Sequence, residues 1–194
     1  MKYLKMLGIA AVAAMSFMAF AASSASATTL EVGGVTQNGA VTITGSLDES
    51  VILARTDGSF ANTCTKSHFH GTTTKFTKPV TGPLSSLTFE GCERPVTVHK
   101  PGALEVVHIA GTTNGTVFSE SAEVTSGSPF GTLNCKTGET THIGTLTAAT
   151  TATNPTVHAT VDVNAVLNCG FLVPSATWKG SYWITSPTEL GVSA

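Results

Sequence analysis

Across residues 156–169 apolar and polar side chains alternate almost without a break. Val157, Ala159, Val161, Val163, Ala165, Leu167 and Cys169 fall on one side, and Thr156, His158, Thr160, Asp162, Asn164 and Asn168 on the other. Successive side chains of an extended strand point to opposite faces, so this period of two predicts a strand buried on one face and wet on the other, long enough to bend or change sheets. The same alternation sets Val41, Ile43, Gly45 and Leu47 against Thr42, Thr44, Ser46 and Asp48. It also sets Trp178, Tyr182 and Ile184 against Lys179, Ser181 and Thr185. Beyond residue 27 no window of about 11 residues carries a helical period.

Turn chemistry divides the chain at short intervals. Asn38-Gly39 and Asn114-Gly115 are the strongest hairpin signals, because a type I′ turn needs positive φ at both central positions. Residues 103–109 and 116–124 frame the second pair as strands. Further breaks fall at Gly33-Gly34, Asp57-Gly58, Pro79 to Pro83, Gly91, Pro101-Gly102, Gly127 to Pro129, Gly138, Asn154-Pro155, Gly170 to Pro174 and Pro187. Many short strands with no helices between them predict an all-β fold, an antiparallel β-sandwich with a β-barrel as the alternative.

A different pattern precedes all this. Lys2 and Lys5 stand before an apolar run over residues 7–22, followed by Ala25-Ser26-Ala27. Those are the three parts of a secretory signal peptide, predicted over residues 1–27 and leaving a single all-β domain over 28–194. Without Lys2 and Lys5 the ten Lys and Arg become eight, against twelve Asp and Glu, a formal charge of −4. No basic run occurs, which argues against nucleic acid or an anionic membrane as partner. No second long apolar stretch follows, so no transmembrane segment is expected after cleavage, and no cysteine sits where a lipoprotein anchor would need one. The surface is kept polar by threonine instead, with 33 after residue 27. Threonine suits strands and wets an outer face without charge.

Four cysteines in an exported chain imply two disulfides, with three possible pairings. Cys64–Cys92 and Cys135–Cys169 are favoured, because sequential strands are usually neighbours. His68 and His70 are the sharpest metal candidates, since residues i and i+2 of a strand share a face. Their third ligand would come from His99, His108, His142 or His158, and outward strand positions explain the same histidines without a metal. For hydrolysis no G-x-S-x-G occurs: Gly127-Ser128-Pro129-Phe130-Gly131 has its serine one place early. Glu90 and Glu93 flank Cys92 where solvated charges are ordinary. Trp183 falls on the face opposite Trp178 and Tyr182, either stacking on a sugar or partner or lying under a second sheet or loop. The Thr-x-Thr pairs lack the fixed repeat of an ice-binding face, and the apolar faces lack the aromatic girdle of a membrane barrel. Asn114-Gly115-Thr116 is a glycosylation sequon only in a eukaryotic host.

Leu30-Glu31-Val32, Thr63-Cys64-Thr65, Leu87-Thr88-Phe89-Glu90-Gly91-Cys92, Gly144-Thr145-Leu146-Thr147 and Trp178-Lys179-Gly180-Ser181-Tyr182 together resemble small secreted β-rich proteins of bacteria, of actinobacterial type, to which no activity is assigned. The resemblance implies an extracellular or envelope location and carries over no functional residue. The expected function is that of a secreted structural or interaction protein of adhesion or matrix type, at or outside the bacterial cell envelope. It would be non-catalytic, without a cofactor, with cell-surface or matrix components as partners. An extracellular small-molecule or metal binder using His68 and His70 is the competing class, and a secreted hydrolase the third.

Overall fold

The computed structural model describes residues 28–76, 79–129, 131–149, 158–171 and 173–194. The predicted signal peptide, Phe130, Asn154-Pro155, Thr156-Val157 and Leu172 lie outside the described residues. Within them the alternating stretches form strands, the one expected over residues 156–169 being shorter, Thr160–Leu167, and confined to one sheet, and no helix occurs. In chain order these are β1 (Thr29–Val32), β2 (Val35–Thr36), β3 (Thr42–Leu47), β4 (Val51–Arg55), β5 (Ala61–Thr72), β6 (Val80–Cys92), β7 (Val96–Lys100) and β8 (Ala103–His108). There follow β9 (Gly115–Glu120), β10 (Glu123–Ser128), β11 (Gly131–Lys136), β12 (Thr141–Thr147), β13 (Thr160–Leu167), β14 (Ala176–Ser186) and β15 (Leu190–Ser193).

A closed barrel of eight antiparallel strands runs β13-β12-β9-β8-β6-β5-β3-β14, and β14 pairs back onto β13 from Thr160↔Trp183 to Leu167↔Ala176. β4 prolongs the line of β3 beyond an irregularity at residues 48–50, since both pair with the same neighbours, β14 and β5. The lumen is filled by the apolar side of the alternation, with Phe69, Val117, Leu146, Val161, Tyr182 and Ile184 all buried. Gly45 stands opposite Phe69, and a Cβ there would lie 2.2 Å from the phenyl ring. The missing side chain is what lets the ring lie flat against the wall and meet Tyr182 edge-on, with centroids 5.7 Å apart.

Three consecutive hairpin strands are each broken at one level of the structure. β7 and β8 part at Pro101-Gly102, where Gly102 has φ +81°. β9 and β10 part at Ser121, with φ 53°, and β11 and β12 at residues 137–140. The breaks are tied together: Ala122 N donates to Thr137 Oγ1 at 2.8 Å, and Ser121 N to the Gly138 carbonyl at 2.9 Å. Below them β8, β9 and β12 belong to the barrel. Above them β7, β10 and β11 form a separate three-stranded sheet in the order β11-β10-β7. That sheet folds over the wall made by β4, β5, β6 and β14, enclosing a second core in which Val96 and Val124 meet Val51, Phe89, Leu167 and Trp178. Sandwich and barrel, alternatives in the sequence reading, are thus two levels of one fold.

At the other end β1 pairs with β15, Thr29↔Ser193 to Val32↔Leu190. Leu30, Leu190 and Val192 are driven into the barrel mouth and buried there. Val192 N donates to the Thr113 carbonyl and Leu30 N to that of Phe76, fixing the plug to the rim. Both disulfides pair as the sequence reading favoured. Cys64–Cys92 joins adjacent β5 and β6, and Cys135–Cys169 joins the covering sheet to the chain just after β13. Their separations of 28 and 34 residues correspond to about 3.5–4 kcal/mol each in the chain-entropy account.

Two turn expectations are corrected. Asn38-Gly39 joins β2 to β3, which belong to different sheets, and the hairpin before it turns at Gly33-Gly34, both with positive φ. Asn114-Gly115 does close the β8–β9 hairpin, with His108↔Gly115 as its last pair, but over a loop of residues 109–114 in which Gly111 holds the positive φ. The single strand expected over residues 116–124 is broken at Ser121.

Candidate functional site

Cavities inside the molecule are small. Those in the lumen measure about 60 and about 40 Å³, and the one beneath the covering sheet about 40 Å³. Each is walled almost wholly by apolar side chains, and none approaches the roughly 300–1,000 Å³ of a small-molecule pocket. The lumen is a packed core; an open cleft of about 480 Å³ lies on the surface, lined by Asn134, Lys136, Thr137, Gly138, Asn168 and Gly170, and functional side chains must be sought on the outer surface.

There the register of five strands sets residues far apart in sequence side by side. Thr160 of β13 stands opposite Trp183 of β14, Trp183 opposite Ser46 of β3, Ser46 opposite His68 of β5, and His68 opposite Thr88 of β6. Trp183 points outward as alternation requires and is 45% exposed, with no second sheet over it among the described residues. The ring of His158 stacks against the indole, centroids 5.9 Å apart and planes 14° from parallel. One position along, Thr185 and Thr44 bring their hydroxyls within 2.9 Å, and Thr44 stands opposite His70. Behind this wall Tyr182 points into the lumen and donates to Ser67 Oγ at 3.1 Å. Burial pushes its phenol up to about 12, against the opposing effect of that hydrogen bond.

His68 and His70 share the outward face of β5, as expected from their spacing, but lean on different neighbours. His68 Nδ1 hydrogen-bonds Ser46 Oγ at 2.9 Å on the β3 side, and His70 Nδ1 bonds Ser85 Oγ at 2.6 Å on the β6 side. The other histidines are dispersed. His99 bonds Thr125, His108 donates to the Thr112 carbonyl, His142 meets the edge of Phe118, and His158 lies on Trp183. Among the described residues no three of His, Cys, Asp and Glu gather as metal ligands. Glu90 faces Lys66 across the β5–β6 ladder, and Glu93 follows on the loop after β6. Ser128 Oγ donates to the Gly131 carbonyl at 2.8 Å within its own turn.

Alternation alone placed Trp183 on the outside. The companions it meets there, Ser46 and His158, could not be read from the chain, because they depend on which strands close the barrel. Phe171, 98% exposed after Gly170, is likewise not signalled by the sequence pattern. It stands alone in a Gly- and Pro-rich segment where no period marks a face.

No helix among the described residues is long and apolar enough to cross a membrane. The barrel wall has apolar side chains inward and Thr, Ser, His and charged residues outward, the reverse of a barrel that faces lipid. No protein-family model matches the chain, and neither a curated protein nor a solved structure matches it.

Proposed function

We propose that this is an extracellular interaction protein of a bacterial cell envelope, which binds surface or matrix components through its outer wall and performs no chemistry of its own. The observation that carries the reading is the contrast between a lumen filled with side chains and an outer wall on which Trp183 stands exposed among hydroxyls and imidazoles. Binding energy concentrates on exposed aromatics that keep one polar edge. The two disulfides suit an oxidising compartment, and the charge-poor, threonine-rich wall suits a protein that stays wet outside the cell.

Fractionation of the producing cells tests this reading. The protein is expected in the surface or matrix fraction, beginning at Thr28 and four hydrogens lighter than the fully reduced chain. Recovery as a free monomer in the medium, carrying stoichiometric metal that a His68→Ala/His70→Ala variant loses, would overturn it in favour of a metal binder.

A further inference from the structure

We infer that the wall around Trp183 binds an uncharged polysaccharide, with a sugar ring lying on the indole; this rests on the interaction reading above and names its ligand class. A pyranose ring has one face of C–H groups and a rim of hydroxyls. A protein site for it needs a flat aromatic surface with small donors and acceptors beside it, and the barrel supplies both in register. The row Thr160, Trp183, Ser46, His68, Thr88 crosses five adjacent strands. With neighbouring strands about 4.8 Å apart it extends some 19 Å, room for several sugar units. His158, parallel to the indole, holds its plane. The adjacent outward positions, Thr185, Thr44, His70 and Ser86, again offer hydroxyls and imidazole.

Neither set of positions contains a carboxylate, ammonium or guanidinium. Charges begin only on the other side, where the Asp162 carboxylate accepts from Ser181 Oγ at 2.7 Å and Lys66 faces Glu90. An acidic chain would find no cation in either set of positions; on β14 the outward cation Lys179 stands two outward positions beyond Trp183, opposite Asn164 and Ile52. A protein partner is disfavoured by the same surroundings, because the centre of a protein interface is apolar. The exposed apolar residue of this wall on β13, Val166, pairs with Thr177, well along β14 from Trp183.

Affinity electrophoresis of the purified protein through gels containing dextran, galactomannan, soluble β-glucan or alginate tests the inference. At least one of the three neutral polymers is expected to retard the protein. Trp183→Ala should weaken that retardation at least about tenfold, in line with a hot-spot aromatic, while Trp183→Tyr retains most of it and Phe171→Ala all of it. Because Trp183 faces outward, an unchanged circular dichroism spectrum is expected for its variants. Retardation by alginate alone, by none of the polymers, or equally in Trp183→Ala would overturn the sugar assignment. Retention on cells that survives periodate oxidation of their glycans would also overturn it while leaving the interaction reading standing. Absence from the surface fraction would remove the interaction reading itself.

Discussion

Gly45 and Phe69 illustrate how a single missing side chain sets the packing of the barrel. With a Cβ at position 45 only 2.2 Å from the ring, Gly45→Ala forces Phe69 off its place. It should cost roughly 1–3 kcal/mol, the usual range for overpacking. Gly39→Ala is the control, because nothing lies within 4 Å of its added carbon, and it should stay within about 0.5 kcal/mol of the parent. Urea midpoints of the two variants decide the matter. Tyr182 gives a second test. Its phenol is raised from 10.0 to about 12 by burial, so the fold favours the neutral form. The stabilisation is complete below pH 10.0 and is lost as pH rises toward about 12, amounting to roughly 3 kcal/mol for two pKa units. Tyr182→Phe should remove this alkaline loss at the cost of about 1 kcal/mol at neutral pH, where Ser67 loses its donor. Tyr182 and Tyr3 are the chain's two tyrosines, so in a protein prepared from Thr28 onward tyrosinate absorbance reports Tyr182 alone. At this scale the sequence was informative about direction. Alternation put Tyr182 inside and Trp183 outside, and it placed Gly45 on the buried side without saying which ring it admits.

Strand identity was likewise legible where one face is buried. β3 and β13 fall within alternating stretches and β14 spans another, because only that register hides the apolar set. The common break across β7/β8, β9/β10 and β11/β12 was only half legible. Pro101-Gly102 and Gly138 announce their interruptions, but Ser121 does not, since its positive φ is imposed by hydrogen bonds to a neighbouring strand rather than by its own preference. Gly102→Ala should be severe, because positive φ is combined with a Cβ 2.4 Å from the Glu120 carbonyl. A loss of roughly 2 kcal/mol or more is expected in thermal or chemical unfolding. The two disulfides should also differ. Cys135→Ala/Cys169→Ala unties the covering sheet from the barrel. It is expected to accelerate amide exchange in β10 and β11 well before that in β5 and β14, because a sheet held by fewer buried contacts opens at lower free energy. Uniform acceleration throughout the molecule would show the covering sheet and the barrel to be one cooperative unit.

Closure of the whole molecule was the least legible level. Which strands meet across the seam, and hence which outward residues stand beside Trp183, is decided by pairings between distant segments that no local pattern encodes. β14 lies between β13, nearby in sequence, and β3, near the chain's start. The plug formed by β1 and β15 belongs to the same level. Deleting residues 190–194 removes Leu190 and Val192 from the barrel mouth. Each such side chain is worth about 1.5–3 kcal/mol when fully buried, against a total stability of only about 5–15 kcal/mol for a domain. The truncated chain should therefore lose its sharp thermal transition, as a calorimetric scan would register, whereas an extension after Ala194, which is exposed, should leave the transition in place. The pairing of the first and last strands also governs timing. Until residues 190–193 have left the ribosome, and the export channel if the chain is secreted, β1 has only β2 beside it and the barrel mouth lacks Leu190 and Val192. The native state is accordingly out of reach of a nascent chain. Were the chain exported, it would stay threadable through a pore until residues 190–193 had followed and would complete its fold only after release.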